Sequence, residues 1–225
     1  MSASALSLAA VVDAREKLRA AKPEDKMAVF AVLMRLRQIC CDPRLVADNW
    51  SGGSAKLDAC AELVSSAVEG GHRILLFSQF TSMLELLAKR LDEAGVSHFT
   101  LQGSTPKPVR AELVRRFNSG EADVFLISLR AGGTGLNLTA ADIVIHYDPW
   151  WNLAAQNQAT DRAYRIGQRN PVQVYRLIAQ DTIEEKIVEL QQAKQSLADT
   201  VTGGADGAIL SMNPEQLLQL LGEEA

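Results

Sequence analysis

The sequence of 225 residues contains few cysteines, few aromatic residues and no excess of basic charge. Its three cysteines lack the CxxC or Cys/His spacing of a metal site and are too few for a disulfide framework. We therefore expect reduced thiols, an intracellular protein and no metal centre. No run approaches the roughly 18 apolar residues of a membrane-spanning helix, and the N-terminal segment lacks the basic start of a signal peptide. A formal net charge of −4 excludes an overall basic field that would attract nucleic acid.

Charge is nevertheless distributed unevenly along the chain. Residues 162–176 carry four arginines and no acidic residue, whereas residues 199–225 carry five acidic residues and no Lys or Arg. Apolar residues make up 47% of the sequence and charged residues 22%, which are the proportions of a folded globular protein. An anionic partner is therefore to be sought locally, near the four arginines.

Short apolar runs alternate with amphipathic helical patterns over most of the chain, and one of these helical patterns lies near 152–166. The apolar runs predict five strands, at 73–78, 97–101, 123–128, 142–147 and 172–178. Strands that alternate with helices imply right-handed crossovers. The pattern therefore predicts an α/β fold with a mainly parallel sheet of about five or more strands and helices on both faces.

Helical patterns also flank the α/β region. We predict an N-terminal helical linker segment over 1–53, an α/β domain over 54–180 and a C-terminal helical extension over 181–225. The glycine pair at 52–53 is the strongest break in the chain. Two helix starts have the spacing of a capping box, Ser82 with Glu85 and Thr182 with Glu185.

A glycine-rich segment follows the third predicted strand. Gly132, Gly133 and Gly135 lie within four residues, shortly after Ser128. Glycines leave backbone amides uncovered and let an anionic oxygen approach closely, so the segment is a candidate phosphate nest. It matches neither GxGxxG nor GxxxxGK[ST], and a tight turn after a strand accounts for the same composition.

Two arginines occupy the helical pattern near 152–166. Arg162 and Arg165 are three residues apart, which predicts that both guanidinium groups project from one helix face. Two forked cations on one rigid face suit a polyphosphate or its transition state. The alternative is a solvated basic face that makes surface ion pairs.

A tryptophan pair follows the fourth predicted strand, in the segment 148–152 (DPWWN). An indole at this position either packs into the core or contacts the backbone or bases of a nucleic acid. Both interpretations remain open for Trp150 and Trp151.

Several segments occur in an order that resembles a known family. They are 36–46 (LRQICCDPRLV), 74–80 (ILLFSQF), 101–106 (LQGSTP), 125–152 (FLISLRAGGTGLNLTAADIVIHYDPWWN), 158–168 (QATDRAYRIGQ) and 182–194 (TIEEKIVELQQAK). Together they resemble the second-lobe motifs, with their flanking helices, of the SWI/SNF-type DNA-dependent ATPases in helicase superfamily two. The resemblance covers roughly residues 28–222.

The resemblance implies a RecA-like three-layer fold, ATP hydrolysis in a cleft between two lobes, and translocation on double-stranded DNA. It assigns Arg162 and Arg165 as catalytic residues that reach the ATP γ-phosphate. Contacts to ATP are implied for Gly135, Asn137, Gln158, Arg162 and Arg165. Sequence-nonspecific contacts to the DNA are implied for Ser78, Gln79, Ser104, Thr105, Arg110, Ser128, Gly132, Gly133, Trp151 and Asn152.

The other half of such an ATPase is absent from this sequence. There is no Walker A lysine, and the DExx-like segment at 92–95 follows a helical pattern instead of a buried strand. We therefore expect one lobe of a longer polypeptide, whose partner is an N-terminal RecA-like lobe of the same chain. ATP and Mg²⁺ belong to the full-length enzyme, and we expect neither to be bound or used by this lobe alone.

Two other function classes stay open at this point. A free-standing Rossmann-type enzyme would need a GxGxxG segment and an acidic ribose-binding residue about 20 residues later, which the sequence lacks. A catalytically silent RecA-like regulatory or interaction domain is the second alternative, and the presence of both arginines argues against it. The translocase lobe would lie in the cytoplasm of a bacterium or the nucleus of a eukaryote, with no membrane partner.

Overall fold

Five parallel strands form a single sheet. They are β1 (Ile74–Ser78), β2 (His98–Leu101), β3 (Val124–Ser128), β4 (Ile143–His146) and β5 (Gln173–Arg176), in the order β2-β3-β1-β4-β5. This computed structural model describes residues 3–22, 25–129, 131, 136–151, 153–163, 171–198 and 213–222. The predicted α/β fold with a parallel sheet is confirmed.

The helices are α1 (Ala3–Ala20), α2 (Lys26–Cys41), α3 (Ala55–Glu69), α4 (Thr81–Glu93), α5 (Lys107–Asn118), α6 (Leu153–Thr160), α7 (Ile183–Ala198) and α8 (Pro214–Leu220), with a short 3₁₀ turn at Pro43–Leu45. None of these helices within the described ranges is long and apolar enough to cross a membrane.

Both faces of the sheet are covered, because every residue of β1, β3 and β4 is buried. The connections from β1 to β2 and from β2 to β3 run in opposite directions across the sheet. Right-handed crossovers therefore place α4 and α5 on opposite faces. On the α5 side, the Phe117 ring lies 5.2 Å from that of Phe125 in β3, which anchors the helix to the sheet.

The chain divides into two compact units. A sheet unit comprises Leu57–Trp150 and Ala154–Ile178, and a helical unit comprises Met1–Lys56, Trp151–Leu153 and Ala179–Ala225. The helical segments at the two ends of the sequence thus share one unit. Apolar side chains of α1, α2, α7 and α8 form its core, among them Leu18, Leu33, Ile187 and Leu217.

Two predicted helix caps are wrong in detail. The first turn of α4 begins at Thr81 with Phe80 as its N-cap, so Ser82 lies inside the helix and does not cap it. At the start of α7, Thr182 Oγ1 accepts from the Glu184 amide, and Glu185 accepts from the amide of Asp181 instead of that of Thr182. Asp181 has a left-handed φ of 56°. The backbone amide that Glu185 binds is therefore that of Asp181, one residue earlier than the Thr182 amide expected for a capping box.

The helical pattern near 152–166 also ends earlier than predicted. Helix α6 stops at Thr160, and Arg162 lies in the turn that follows it. The amides of Arg162 and Ala163 donate to carbonyls three residues earlier, at 3.4 and 3.0 Å, so the backbone has tightened into 3₁₀ geometry.

Candidate functional site

The carboxyl ends of the central strands bring several predicted ligand-facing residues to one edge of the sheet. Ser78 at the end of β1 is the register partner of Ser128 at the end of β3. Leu101, the last residue of β2, pairs with Ile127, so the loop after β2 begins at the same edge. This is the edge at which ligands bind in open parallel sheets.

The two strand-end serines, however, turn their hydroxyl groups inward. Ser78 is fully buried, and its hydroxyl donates to the Asp148 carboxylate at 2.6 Å while accepting from the Phe80 amide at 3.2 Å. Ser128 is 2% exposed, and its Oγ accepts from the Ala131 amide at 3.3 Å. The geometry therefore does not favour a direct contact between DNA and either hydroxyl group. Both serines instead stabilise the turns that follow their strands.

The Asp148 carboxylate fixes the turn that follows β1 by accepting hydrogen bonds from it. Besides the Ser78 hydroxyl, its carboxylate accepts from the Gln79 amide, at 3.2 Å to Oδ1 and 3.4 Å to Oδ2. The Gln79 side chain is half-buried at the mouth of this turn. The sequence signal for Asp148 was an acidic residue directly after a buried strand, but its role as a clamp on β1 depends on a pairing that the sequence does not display.

The first turn of α4 follows this clamped segment at once. In the described part of the chain, no side chain caps the α4 N-terminus. Uncovered amides and the positive end of the helix dipole make such a terminus suited to a phosphate oxygen.

The loop after β2 exposes Ser104 and leaves Thr105 partly exposed. Thr105 Oγ1 accepts from the Gln102 amide at 3.0 Å, and the Thr105 amide donates to the Gln102 carbonyl at 3.1 Å. Arg110 of α5 donates to the Thr105 and Gly103 carbonyls, each at 2.7 Å. The guanidinium group thus contacts the backbone of this loop.

The segment that returns from β3 to β4 is held at two points. Asn118, the last residue of α5, donates from Nδ2 to the Asn137 carbonyl at 2.9 Å and accepts from the Ala140 amide at 3.3 Å. The Leu138 amide donates to the Arg162 carbonyl at 3.2 Å. The Asn137 side chain is exposed. Sequence reasoning missed Asn118, since an asparagine before a Ser-Gly pair at a helix end also fits a simple turn.

Arg162 and Gln158 differ sharply in exposure. Gln158 lies on the open face of α6, whereas Arg162 is only 3% exposed. The prediction that Arg162 lies on a helix face is wrong, because α6 ends at Thr160 and Arg162 is buried in the turn that follows. Arg165, Gly132, Gly133, Gly135 and Asn152 lie outside the described residues.

The two tryptophans of the DPWWN segment belong to different units. Trp150 packs against the core of the sheet unit, and its amide donates to the buried Gln156 side chain at 3.2 Å. Trp151 belongs to the helical unit, where the guanidinium carbon of the buried Arg37 lies 4.4 Å from its ring centroid. A cation covers one face of this indole, so a DNA contact by Trp151 would use the remainder of its half-buried surface.

His146 is the one buried histidine among the described residues, at 1% exposure. Burial, assisted by the nearby Arg176 charge, lowers its pKa to about 4. His146 Nε2 lies 2.9 Å from Thr160 Oγ1, and the same hydroxyl lies 3.3 Å from the Gln156 carbonyl oxygen. The lowered pKa favours the neutral imidazole near pH 7.

The DExx-like segment has no role in this site. Asp92 lies in the last turn of α4, is exposed and faces His98 at 3.7 Å, so it does not follow a buried strand. Across the described residues, no group of three or more His, Cys, Asp or Glu side chains could hold a metal ion.

Residues 55–167 match the family described as Helicase conserved C-terminal domain. This match spans half of the chain and includes all strands except β5. The chain belongs to this family and is a C-terminal helicase lobe. An uncharacterized ATP-dependent helicase of Mycoplasma pneumoniae is 37% identical to this lobe over 209 residues, which are 91% of the lobe and 20% of that protein.

A second relative is the SWI/SNF-related matrix-associated actin-dependent regulator of chromatin subfamily A member 1 of Mus musculus. It is 40% identical over 190 residues, which are 79% of this lobe and 18% of that protein. The lobe therefore spans about a fifth of the length of the curated relatives that it matches.

Two solved structures have the same fold as this lobe. The Sulfolobus solfataricus SWI2/SNF2 ATPase C-terminal domain has a TM-score of 0.79 and 27% identity, covering 99% of this lobe and 94% of that chain. The Sulfolobus solfataricus SWI2/SNF2 ATPase core in complex with dsDNA has a TM-score of 0.82 and 29% identity, covering 99% of this lobe and 48% of that chain. The predicted RecA-like class is confirmed, and the lobe is of the SWI/SNF type.

Proposed function

We propose that this lobe is the second motor lobe of an ATP-dependent translocase or remodeller that moves on double-stranded DNA. It works with an N-terminal RecA-like lobe of the same polypeptide, which binds ATP and Mg²⁺. The observation that supports this most is the hydrogen bond from the Leu138 amide to the Arg162 carbonyl, at 3.2 Å. It joins two segments, those of Asn137 and Arg162, that an ATPase of this type needs side by side.

Arg162 and Arg165 act as arginine fingers in this proposal. A guanidinium group that reaches the transferred phosphate stabilises the negative charge of the transition state and contributes about 10³–10⁵-fold in rate. Arg162 is almost completely buried, and a cation in a poorly hydrated site acts more strongly on a phosphate than one in water. Docking of the ATP-carrying lobe would bring the phosphate to this group, with Asn137 and Gln158 at the nucleotide.

The DNA side of the lobe is the edge formed by the turn after β1, the loop after β2 and the first turn of α4. Exposed Ser104, part-exposed Thr105 and the uncapped α4 terminus offer hydroxyl and amide donors to phosphate oxygens. Such donors do not distinguish bases, so binding is independent of sequence. The double-stranded DNA in the structure of the Sulfolobus relative is consistent with this assignment.

Turnover by the full-length protein tests the fingers. We expect Arg162→Ala and Arg165→Ala each to lower DNA-stimulated ATP hydrolysis by about 10³-fold or more, with binding of a fluorescent ATP analogue nearly unchanged. Arg115→Ala, which removes an exposed arginine of α5, is the matched control and should hydrolyse ATP normally. Near-normal turnover by either finger variant would remove the assignment.

Binding by the isolated lobe tests the DNA contacts. Since its net charge is −4, we expect weak, sequence-independent binding that weakens steeply as salt is added. We also expect no ATP hydrolysis without the N-terminal lobe. Nanomolar affinity for DNA at physiological salt, or DNA-stimulated ATP hydrolysis by this lobe alone, would contradict the proposal that this lobe depends on the N-terminal lobe.

The burial of Arg162 also favours a second candidate, a RecA-like regulatory or interaction domain without chemistry. In that case the full-length protein would bind its partners without hydrolysing ATP. The same turnover measurement on the unaltered full-length protein separates the two functions.

A further inference from the structure

Helix α5 contacts two segments, one at each end. The first is the loop after β2 (residues 102–106), here called the DNA-side loop, and the second is the stretch 137–140, here called the nucleotide-side segment. The first turns of α5 carry Arg110, which donates from Nε to the Thr105 carbonyl and from Nη2 to the Gly103 carbonyl. Its last residue is Asn118, which contacts Asn137 and Ala140. The two side chains start eight residues apart, about 12 Å along the helix axis.

The Arg110 contacts are those of a clamp. A further, longer bond from Nη2 reaches the Gln102 carbonyl at 3.4 Å, so one guanidinium group contacts three carbonyls of the same loop. Hydrogen bonds from a charged donor are stronger than neutral ones, and the planar fork fixes the direction of each carbonyl. Ser104, next to two of these carbonyls, is exposed.

The Asn118 side chain holds the nucleotide-side segment at two points, through one donated and one accepted hydrogen bond. The amide group donates to one backbone carbonyl and accepts from an amide three residues later, which an Asp or a Leu at this position could not do. Between these two points, Leu138 is fully buried and its amide is bound to the Arg162 carbonyl. The exposed Asn137 side chain is thereby presented from a segment that is fixed on both sides.

The body of α5 does not shift easily between these ends. Phe117 is fully buried against Phe125, and the Arg116 guanidinium lies 4.8 Å from the centroid of the Phe99 ring. Leu113 and Val114 pack against the same core. A packed helix of three turns keeps a fixed distance between its two ends because its hydrogen-bonded backbone is stiff.

We propose that α5 is a positioning element for both ligand-facing segments, with Arg110 holding the DNA-side loop and Asn118 holding the nucleotide-side segment. This inference rests on the function proposed above. It makes Arg110 a positioning residue that acts through Ser104 and Thr105, in place of the direct DNA contact expected from the sequence.

Two variants of the full-length protein separate the two ends of α5. For Arg110→Gln we expect the DNA concentration that gives half-maximal ATPase stimulation to rise about tenfold, the value of one charge-assisted hydrogen bond, with kcat at saturating DNA unchanged. For Asn118→Ala we expect the opposite split, with kcat lowered about tenfold by the displaced nucleotide segment and the half-maximal DNA concentration unchanged. Arg115→Gln, which removes the same charge from an exposed position of α5, should change neither parameter.

Arg110→Lys distinguishes a clamp from a phosphate contact. Lysine keeps the charge but cannot bond three carbonyls as a planar fork, so a clamp role predicts the same loss as Arg110→Gln. Retention of DNA affinity by Arg110→Lys would overturn the positioning role, as would an equal loss in Arg115→Gln.

Amide hydrogen exchange in the isolated lobe tests the clamp without any ligand. We expect Asn118→Ala to speed exchange at Ala140, and Arg110→Gln to speed it at Gln102 and Thr105, by about tenfold in each case. Unchanged exchange would overturn the inference even if the full-length protein proves to be a DNA-stimulated ATPase. Faster exchange together with no ATPase activity in the unaltered full-length protein would instead refute the proposed function alone.

Discussion

The Ser78 hydroxyl donates a hydrogen bond to the Asp148 carboxylate at 2.6 Å, although the two residues are 70 positions apart in the chain. Ser78 ends β1, and Asp148 follows the neighbouring strand β4. Both residues are buried, so the bond is shielded from water. It ties together two of the segments that form the carboxyl edge of the sheet, and the Gln79 amide shares the same carboxylate.

Removal of this carboxylate should loosen the edge of the sheet. Asp148→Ala leaves the Ser78 hydroxyl and the Gln79 amide without their acceptor, and a buried polar group left unsatisfied costs about 1–3 kcal/mol. We expect amides of β1 to exchange with a free energy of opening lower by about that amount. Asp58→Ala, which removes an exposed carboxylate 3.5 Å from Arg90, should change it by less than about 0.5 kcal/mol. Equal effects of the two variants would show that Asp148 does not stabilise this edge.

Acid should destabilise the sheet unit through His146. Its pKa of about 4 in the folded protein lies below the 6.5 of an unperturbed histidine, so between these values the unfolded chain binds a proton that the folded chain does not. Stability contributed by neutral His146 is therefore present above about pH 6.5 and is lost as the pH falls towards 4, by about 3 kcal/mol in all. Nδ1 of His146 is buried and has no hydrogen-bond partner among the described residues, so no acceptor at this atom stabilises the charged form.

The measurement is urea unfolding between pH 4 and pH 7.5, compared between the unaltered chain and His146→Gln. The comparison cancels the carboxylates that both chains share, and the variant should lack this part of the pH dependence. His72→Gln, at a partly exposed histidine, is the control and should retain it. An identical pH dependence for His146→Gln and the unaltered chain would refute the prediction.

Loss of Lys56 should destabilise the helical unit strongly. Glu184 at the start of α7 is fully buried and accepts from Lys56 Nζ at 2.7 and 2.5 Å and from the Ala179 amide at 2.8 Å. Lys56→Met leaves a buried carboxylate without its cation, which costs about 3–5 kcal/mol. Urea unfolding followed by exchange at α7 amides measures this loss.

Two comparisons isolate the buried charge. Lys186→Met, in α7 like Glu184, breaks an exposed pair with Glu189 and should cost less than about 1 kcal/mol. Adding Glu184→Gln to Lys56→Met neutralises the carboxylate but keeps an acceptor for the Ala179 amide, so part of the lost stability should return. If the double variant is as unstable as Lys56→Met alone, then lost packing is the cause and the charge is not.

Cys40 should react slowly with alkylating agents. Burial, with the nearby Glu184 carboxylate as a second cause, raises the pKa of its thiol from 9.0 to about 11. Since only the thiolate reacts, the two values imply a rate about 100-fold below that of an unperturbed cysteine at pH 8. Mass spectrometry after iodoacetamide treatment measures the rate, and the urea-unfolded chain is the reference. Equal rates in the folded and unfolded chains would contradict the raised pKa.

Local patterns were sufficient for most of the secondary structure. All five predicted strands are present, because near-continuous apolar runs between helical patterns are typical of a buried parallel sheet. The largest error concerned Arg162, which the helical period placed on the face of a helix. The spacing of residues can remain helical in the sequence beyond the point where the helix ends. It also gives no indication of the hydrogen bond between the Leu138 amide and the Arg162 carbonyl.

The family segments, the parallel α/β class and the positions of the loops that follow the strands were already determined by the order of residues, since each depends on neighbours along the chain. Tertiary structure alone decided the strand order, the inward turn of the Ser78 and Ser128 hydroxyls, and the grip of Asn118 on the segment of Asn137. These features are contacts between residues far apart in sequence. Whether a polar group faces a ligand or a neighbouring loop is settled by which distant carbonyl or carboxylate the packed core brings within hydrogen-bond reach.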